Sequence, residues 1–228
     1  MSPAPILVVG ASSGIGQATA QQLIAQGSAV ITAGRRDPGL SVPHIPFDAT
    51  AGAFPSDLLP PVLSGLVYAP GSIDLKPLRS TKADDLRVAF ELNVVGAFHS
   101  IHACADRLKK VPGSGIVLFS TVAVGRGMPF HTSIAAAKGA VEGMARSLAA
   151  ELAPLVRVNC IAPSLTRTPL AEKLLSTPER EAAGAERHPL KRVGEAAELA
   201  SMAAFLLSDQ ARWITGQVIG VDGGLSAI

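Results

Sequence analysis

Short unbroken apolar runs recur along the chain, and between them apolar residues fall three and four positions apart. The runs are Ile6–Val9, Ala29–Ala33, His44–Phe47, Gly65–Tyr68, Ile116–Phe119, Val156–Ile161 and Gln217–Val221. Continuous runs of this length read as strands covered on both faces, the habit of a parallel sheet. The helical period predicts a first helix with Ile15, Ala18, Leu23 and Ile24 inward and Gly27 ending it. A long helix is expected over Lys82–Lys110, with Leu86, Ala89, Phe90, Ala97, Ile101, Cys104 and Leu108 on its stripe. Another carries Ile134, Val141, Met144, Ala145, Leu148 and Leu152, and the last spans Ala196–Leu207. Between the second and third strands Pro38-Gly39 leaves no room for a full helix, and Leu58–Leu63 holds at most a short, proline-interrupted one. Alternating strands and helices predict an α/β fold: a single-domain, doubly wound parallel sheet over residues 1–228 with helices on both faces.

Composition narrows the function. With 228 residues, 48% hydrophobic and 17% charged, the chain can bury a substantial core. Its net charge of +2 is spread among scattered acids and bases. Arg35-Arg36 and Lys109-Lys110 are too short to form a basic stripe, so no nucleic-acid partner is expected. Cys104 and Cys160 lie in apolar sequence and read as buried free thiols of a reducing, cytoplasmic compartment. The first ten residues lack a basic start and a long apolar run, so neither a signal peptide nor a membrane partner is expected. The five histidines are dispersed and predict no metal site.

The candidate chemistry sits at strand ends. Ile6–Val9 leads into Gly10-Ala11-Ser12-Ser13-Gly14-Ile15-Gly16, a helix and a second strand, all within about thirty residues. Such a loop lets backbone approach a pyrophosphate, while the helix N-terminus offers N–H groups and a positive dipole end. The context is therefore Rossmann-like. Gly34-Arg35-Arg36-Asp37 ends the second strand. Arginine there suits a 2′-phosphate and favours NADP(H); Asp37 keeps NAD(H) open. Gly10, Asp48, Gly71, Ser120, Thr121 and Pro163 all fall at carboxyl ends of strands and should converge. Asn93 lies on the stripe of the long helix and needs a hydrogen-bond partner if buried. Lys138 lies on the Ile134 face, where it either snorkels to water or pairs. Residues 164–193 are helix-prone but broken by Pro178, Gly184 and Pro189, and read either as a substrate-covering segment or as a plain surface insertion.

These motifs together resemble the short-chain dehydrogenase/reductase family over nearly the whole chain. The resemblance rests on Gly10 to Gly16, Asp48, Asn93, Ser120-Thr121, Lys138, Arg157-Val158-Asn159, Ala162-Pro163 and Asp222-Gly223-Gly224. It implies a nicotinamide cofactor held by Gly10, Ser12, Ser13, Gly14, Ile15, Gly16, Arg35, Arg36, Asp48, Ala69, Gly71, Lys138, Pro163, Leu165 and Thr168. It places Asp48 at the adenine, Lys138 at the nicotinamide ribose, Asn93 at a water beside that lysine, and the loop from Pro163 to Thr168 at the nicotinamide amide. It also implies a homodimer or homotetramer built through the long helices and the last strand, acting on a small-molecule substrate.

Departures from the family pattern fall at the reacting end. Where the family carries a proton-donating tyrosine, four residues before the lysine, this chain has Ile134; where it carries serine, this chain has Thr121. The catalytic set is thus Asn93, Ser120, Thr121, Ile134 and Lys138. Pro163-Ser164 stands where Pro-Gly is usual, and Tyr68-Ala69-Pro70-Gly71 replaces an asparagine-rich turn. Three functions fit: an oxidoreductase using His131, Ser133, Tyr68 or water as surrogate acid, or a substrate needing little acid; a silent dinucleotide-binding sensor or scaffold; and a non-redox isomerase or lyase with Lys138 or His131 as base.

Overall fold

The apolar runs become strands because both of their faces are covered. In the computed structural model, which describes residues 3–228, the chain runs β1 (Ile6–Val9), α1 (Gly14–Ala25), β2 (Val30–Gly34), β3 (His44–Pro46) and β4 (Gly65–Tyr68). It continues through α2 (Ala83–Phe90), α3 (Gly96–Leu108), β5 (Ser114–Phe119), α4 (Ala123–Arg126), α5 (Thr132–Leu152) and β6 (Val156–Pro163). Last come β7 (Thr166–Arg167), α6 (Pro178–Glu186), β8 (Gly194–Glu195), α7 (Ala196–Leu207) and β9 (Val218–Val221).

Seven strands form one sheet in the order β3-β2-β1-β4-β5-β6-β9, every pair parallel. The order reverses between β1 and β4, and a ligand crevice opens at the carboxyl ends beside such a reversal. Side chains at alternate positions of each strand serve opposite cores. Leu7, Leu66, Ile116 and Leu118 pack with Ala97, Ile101, Val141 and Ala145 of α3 and α5. Val8, Val67, Val117 and Ile161 pack with Ala20 and Leu23 of α1 and Leu199 and Ala203 of α7.

The expected helix over 82–110 is resolved into two α-helices joined by a π-turn, Glu91–Val95. Asn93 lies within this widened turn and is buried. Ala83–Leu108 is long and apolar enough to cross a membrane by those two measures alone; here Ala97, Ile101, Cys104 and Leu108 are core residues beneath the sheet. Residues 164–193 are more ordered than their prolines suggest: β7 pairs with β8, a 3-10 turn covers Pro169–Leu174, and α6 starts at Pro178 with Thr177 capping the backbone N–H of Arg180. Leu58–Leu63 contributes only the end of a 3-10 turn over Ser56–Leu58. Cys104 and Cys160 are both buried free thiols.

Candidate active site

Two cavities meet at the carboxyl end of the sheet. The first, about 360 Å³, is lined by Gly10, Ser12 to Gly16, Arg35, Arg36, Asp48, Ala69 and Gly71. Its floor is backbone. Gly10 takes φ +84, and a side chain there would also sit 2.9 Å from Pro70 Cδ. A Cβ on Gly16 would collide with the carbonyl oxygen of Gly10, so this crossing of loop and helix admits only glycine. Ser13 precedes α1 without capping it through its side chain. The α1 N-terminus therefore keeps its donor and dipole character for an anion, and the loop fits a pyrophosphate.

Arg35 and Arg36 are exposed on the same cavity. Asp37 lies outside its lining and instead accepts the backbone N–H of Gly39 at 2.8 Å. Asp48 lines the cavity, and the backbone N–H and hydroxyl of Thr50, both donating to it, hold its carboxyl below the usual carboxylate range.

The second cavity, about 280 Å³, is lined by Ser120, Thr121, Ile134, Lys138, Pro163 and Leu165, and also by His131, Ser164 and His188. Ile15, Ala69, Gly71, Thr168 and Leu170 line both cavities, which therefore join there. The strand ends converge as their positions imply.

Lys138 does not snorkel. It is 8% exposed, and its Nζ donates to the carbonyl of Phe119 at 2.8 Å. Burial disfavours the ammonium and lowers its pKa to about 8. Asn93 donates through Nδ2 to the Ala89 carbonyl at 2.7 Å, while its buried Oδ1 has no partner among the described residues. A Cβ built on Gly71 would lie 3.5 Å from that Oδ1 and 3.6 Å from Lys138 Nζ, so the glycine keeps open a small polar space between them. An orphaned carbonyl beside a lysine suits a bound water.

Ser120 and Thr121 differ. The Ser120 hydroxyl is buried and donates to Glu142 Oε1 at 2.6 Å, which ties its proton to a structural contact. Thr121 is half-buried at the cavity wall; its Oγ1 accepts the N–H of Ala123 at 3.3 Å and leaves its own proton to donate. Ile134, 6% exposed, fills an apolar stretch of the same wall one turn before Lys138.

The expected surrogate acids separate as well. Tyr68, the chain's only tyrosine, donates to the Leu92 carbonyl at 2.5 Å, and burial pushes its phenol pKa far up. Neither it nor Ser133 lines the second cavity, whereas His131 does. Glu142, Ser164 and His188 were not singled out by sequence as site residues, although serine after Pro163 was a visible departure.

A family model described as Enoyl-(Acyl carrier protein) reductase matches residues 61–226. A tropinone reductase homolog of Arabidopsis thaliana is 36% identical over 96% of this chain and 92% of its own length. The 3-oxoacyl-[acyl-carrier-protein] reductase of Thermotoga maritima is 34% identical over 96% of each. Among solved structures, the ligand-free aldohexose dehydrogenase of Thermoplasma acidophilum superposes with a TM-score of 0.91 at 30% identity, covering 100% of this chain and 95% of that one. An Agrobacterium tumefaciens protein assigned as a 2-deoxy-D-gluconate 3-dehydrogenase, solved with bound NADP, gives 0.91 at 29% identity, covering 100% and 98%.

Proposed function

The chain belongs to the short-chain dehydrogenase/reductase family, and on that premise we propose that it is an oxidoreductase using a nicotinamide cofactor to move hydride to or from a small carbonyl, alcohol or activated alkene. The observation that carries this reading is the junction of two cavities at Gly71, one walled by glycine backbone and one by apolar side chains with Lys138 and Thr121. When bound, the nicotinamide supplies or accepts the hydride.

The chain's own residues do the rest. The Gly10–Gly16 backbone and the open end of α1 would hold the pyrophosphate, Asp48 the adenine, and Lys138 the nicotinamide ribose. Pro163, Leu165 and Thr168 would hold the nicotinamide amide. Asn93 Oδ1 would hold a water next to Lys138. The Thr121 hydroxyl would donate to a developing oxyanion. Arg35 and Arg36 favour NADP(H), and the engagement of Asp37 by Gly39 supports that preference; NAD(H) is the weaker ligand in this reading. Ile134 stands in place of the family's phenol. The assembly proposed is a homodimer or homotetramer, which sedimentation would show.

Single-turnover mixing with NADPH across carbonyls, enones and iminium ions tests the reading. Hydride transfer to at least one class is expected. Tight NADPH binding with flat traces throughout would instead favour the sensor or scaffold reading, for which apolar Ile134 in the cavity wall speaks. Turnover that persists without nicotinamide would point to Lys138 as the base of an isomerase or lyase.

A further inference from the structure

We propose that Ser164 and His188 form a proton-transfer pair serving the substrate cavity in the phenol's stead, Ser164 meeting the substrate oxygen and His188 acting through it. The proposal rests on the oxidoreductase reading above.

His188 follows α6 and is 2% exposed. Its Nδ1 lies 2.8 Å from the Gly184 carbonyl oxygen, and its Nε2 lies 2.8 Å from Ser164 Oγ. A carbonyl can only accept, so Nδ1 carries a proton. In the neutral ring Nε2 is then the acceptor, and the Ser164 hydroxyl donates to it. This is the arrangement of a hydroxyl activated by a base that a third group orients.

Position adds to the pairing. Ser164 and His188 line the substrate cavity and also a third cavity of about 340 Å³, so the pair stands in the partition between them. On the far side lie Asp222, Arg192 and Glu198, the last two joined by an ion pair at 2.6 Å. On the substrate side the charged neighbours are Lys138 and Arg187. The pair therefore touches both cavities, with the Ser164 hydroxyl and the His188 Nε2 joined across the partition. The other hydroxyl and imidazole groups serve less well. Ser120 gives its proton to Glu142 and Tyr68 to Leu92, while His131, oriented through Nδ1 by the Pro129 carbonyl at 2.7 Å, has no hydroxyl at Nε2 among the described residues.

In alcohol oxidation the substrate O–H bond breaks and its proton passes to Ser164 Oγ. The proton already on Ser164 passes to His188 Nε2, and the hydride of the adjacent C–H bond goes to the oxidised nicotinamide. The product is a carbonyl and an imidazolium, whose charge faces the carboxylates of the third cavity. Reduction runs the same transfers backwards.

Two measurements test this. In the protein without cofactor, imidazole ¹H–¹⁵N spectra should show the neutral form of His188 protonated at Nδ1, with the Nε2 resonance displaced in Ser164→Ala. In turnover, Ser164→Ala and His188→Gln should each lower kcat for ketone reduction by about 10²-fold or more, with KM and NADPH affinity kept within about threefold. Glutamine can still accept the Ser164 hydrogen bond through its amide oxygen but cannot carry the proton, so a merely structural histidine would tolerate it. Ser164→Thr should restore most of the rate. Reduction of an iminium ion, which needs no proton, should fall far less in Ser164→Ala than ketone reduction does. An active wild type whose Ser164→Ala and His188→Gln variants keep its kcat would overturn the proposal alone, as would a neutral His188 protonated at Nε2. A wild type that transfers hydride to no substrate would overturn the oxidoreductase reading and this proposal with it.

Discussion

The two joined cavities are built by opposite means. The first is shaped by backbone at its tightest points, Gly10 and Gly16, and by the uncapped N-terminus of α1 beside them. The second is shaped by side chains held by polar contacts: Lys138 to Phe119, Ser120 to Glu142, and Ser164 to His188. A backbone site tolerates almost no change at its glycines but is indifferent to most identities around them. A side-chain site can exchange its chemistry at one position, such as Ile134, without losing its walls. The difference teaches that binding and reactivity in this molecule can change independently.

The comparison breaks most visibly at Gly16. Gly16→Ala drives a methyl into the Gly10 carbonyl, and we expect loss of NADPH binding together with a stability loss of roughly 3 kcal/mol, as for overpacked cores. Calorimetric titration and urea unfolding would read both. Retained binding would refute the backbone description of this cavity.

Lys138→Met sharpens the contrast from the other side, with a change of opposite sign. The buried amine has its pKa lowered to about 8 from 10.5. The unfolded chain therefore holds the proton more tightly between those values, and stability rises with pH across that window. The penalty is fully present below about pH 8. The methionine variant should be more stable than the parent at pH 7, by up to about 3 kcal/mol. That advantage should vanish as pH approaches 10.5, while turnover is lost. Unfolding midpoints at several pH values check the trend.

Thr121→Val should lower kcat by about 10²-fold through loss of an oxyanion donor and leave NADPH affinity unchanged, since Thr121 lies outside the cofactor cavity lining. The smallest effect is expected at the exposed rim. Replacing Arg35 and Arg36 together by alanine should cut the NADPH-over-NADH preference by about tenfold, roughly 1.4 kcal/mol, with NADH affinity little altered. Parallel titrations would separate these outcomes.

The same contrast explains what could be read from sequence. The seven strands were legible because each is buried on both faces and so leaves an unbroken apolar run. The glycine loop was legible because its requirement is backbone shape, which spacing records. Lys138 was visible as a lysine on an apolar face, though only the fold shows that it points inward to Phe119. The Ser164–His188 contact was not legible, since its partners lie 24 residues apart and α6 brings them together by packing. The π-turn at Asn93 escaped too: beyond it the stripe holds at Ala97, Ile101, Cys104 and Leu108, whereas Leu86 and Phe90 before it are exposed. Thr121 was legible as the residue at the family's serine position; that the neighbouring Ser120 hydroxyl is taken up by Glu142, one turn beyond Lys138, was not.

Lys138 and Glu142 each fasten α5 to the end of β5, one through the Phe119 carbonyl and the other through the Ser120 hydroxyl. Position 134, at the near end of the same helix face, bears none of that mechanical load. It is therefore a port: a place where phenols of graded acidity, installed as tyrosine or its halogenated analogues, could be exchanged on an unmoving scaffold. A linear dependence of rate on phenol acidity there would measure how far the rest of the site is already aligned for a donor that this chain does not carry.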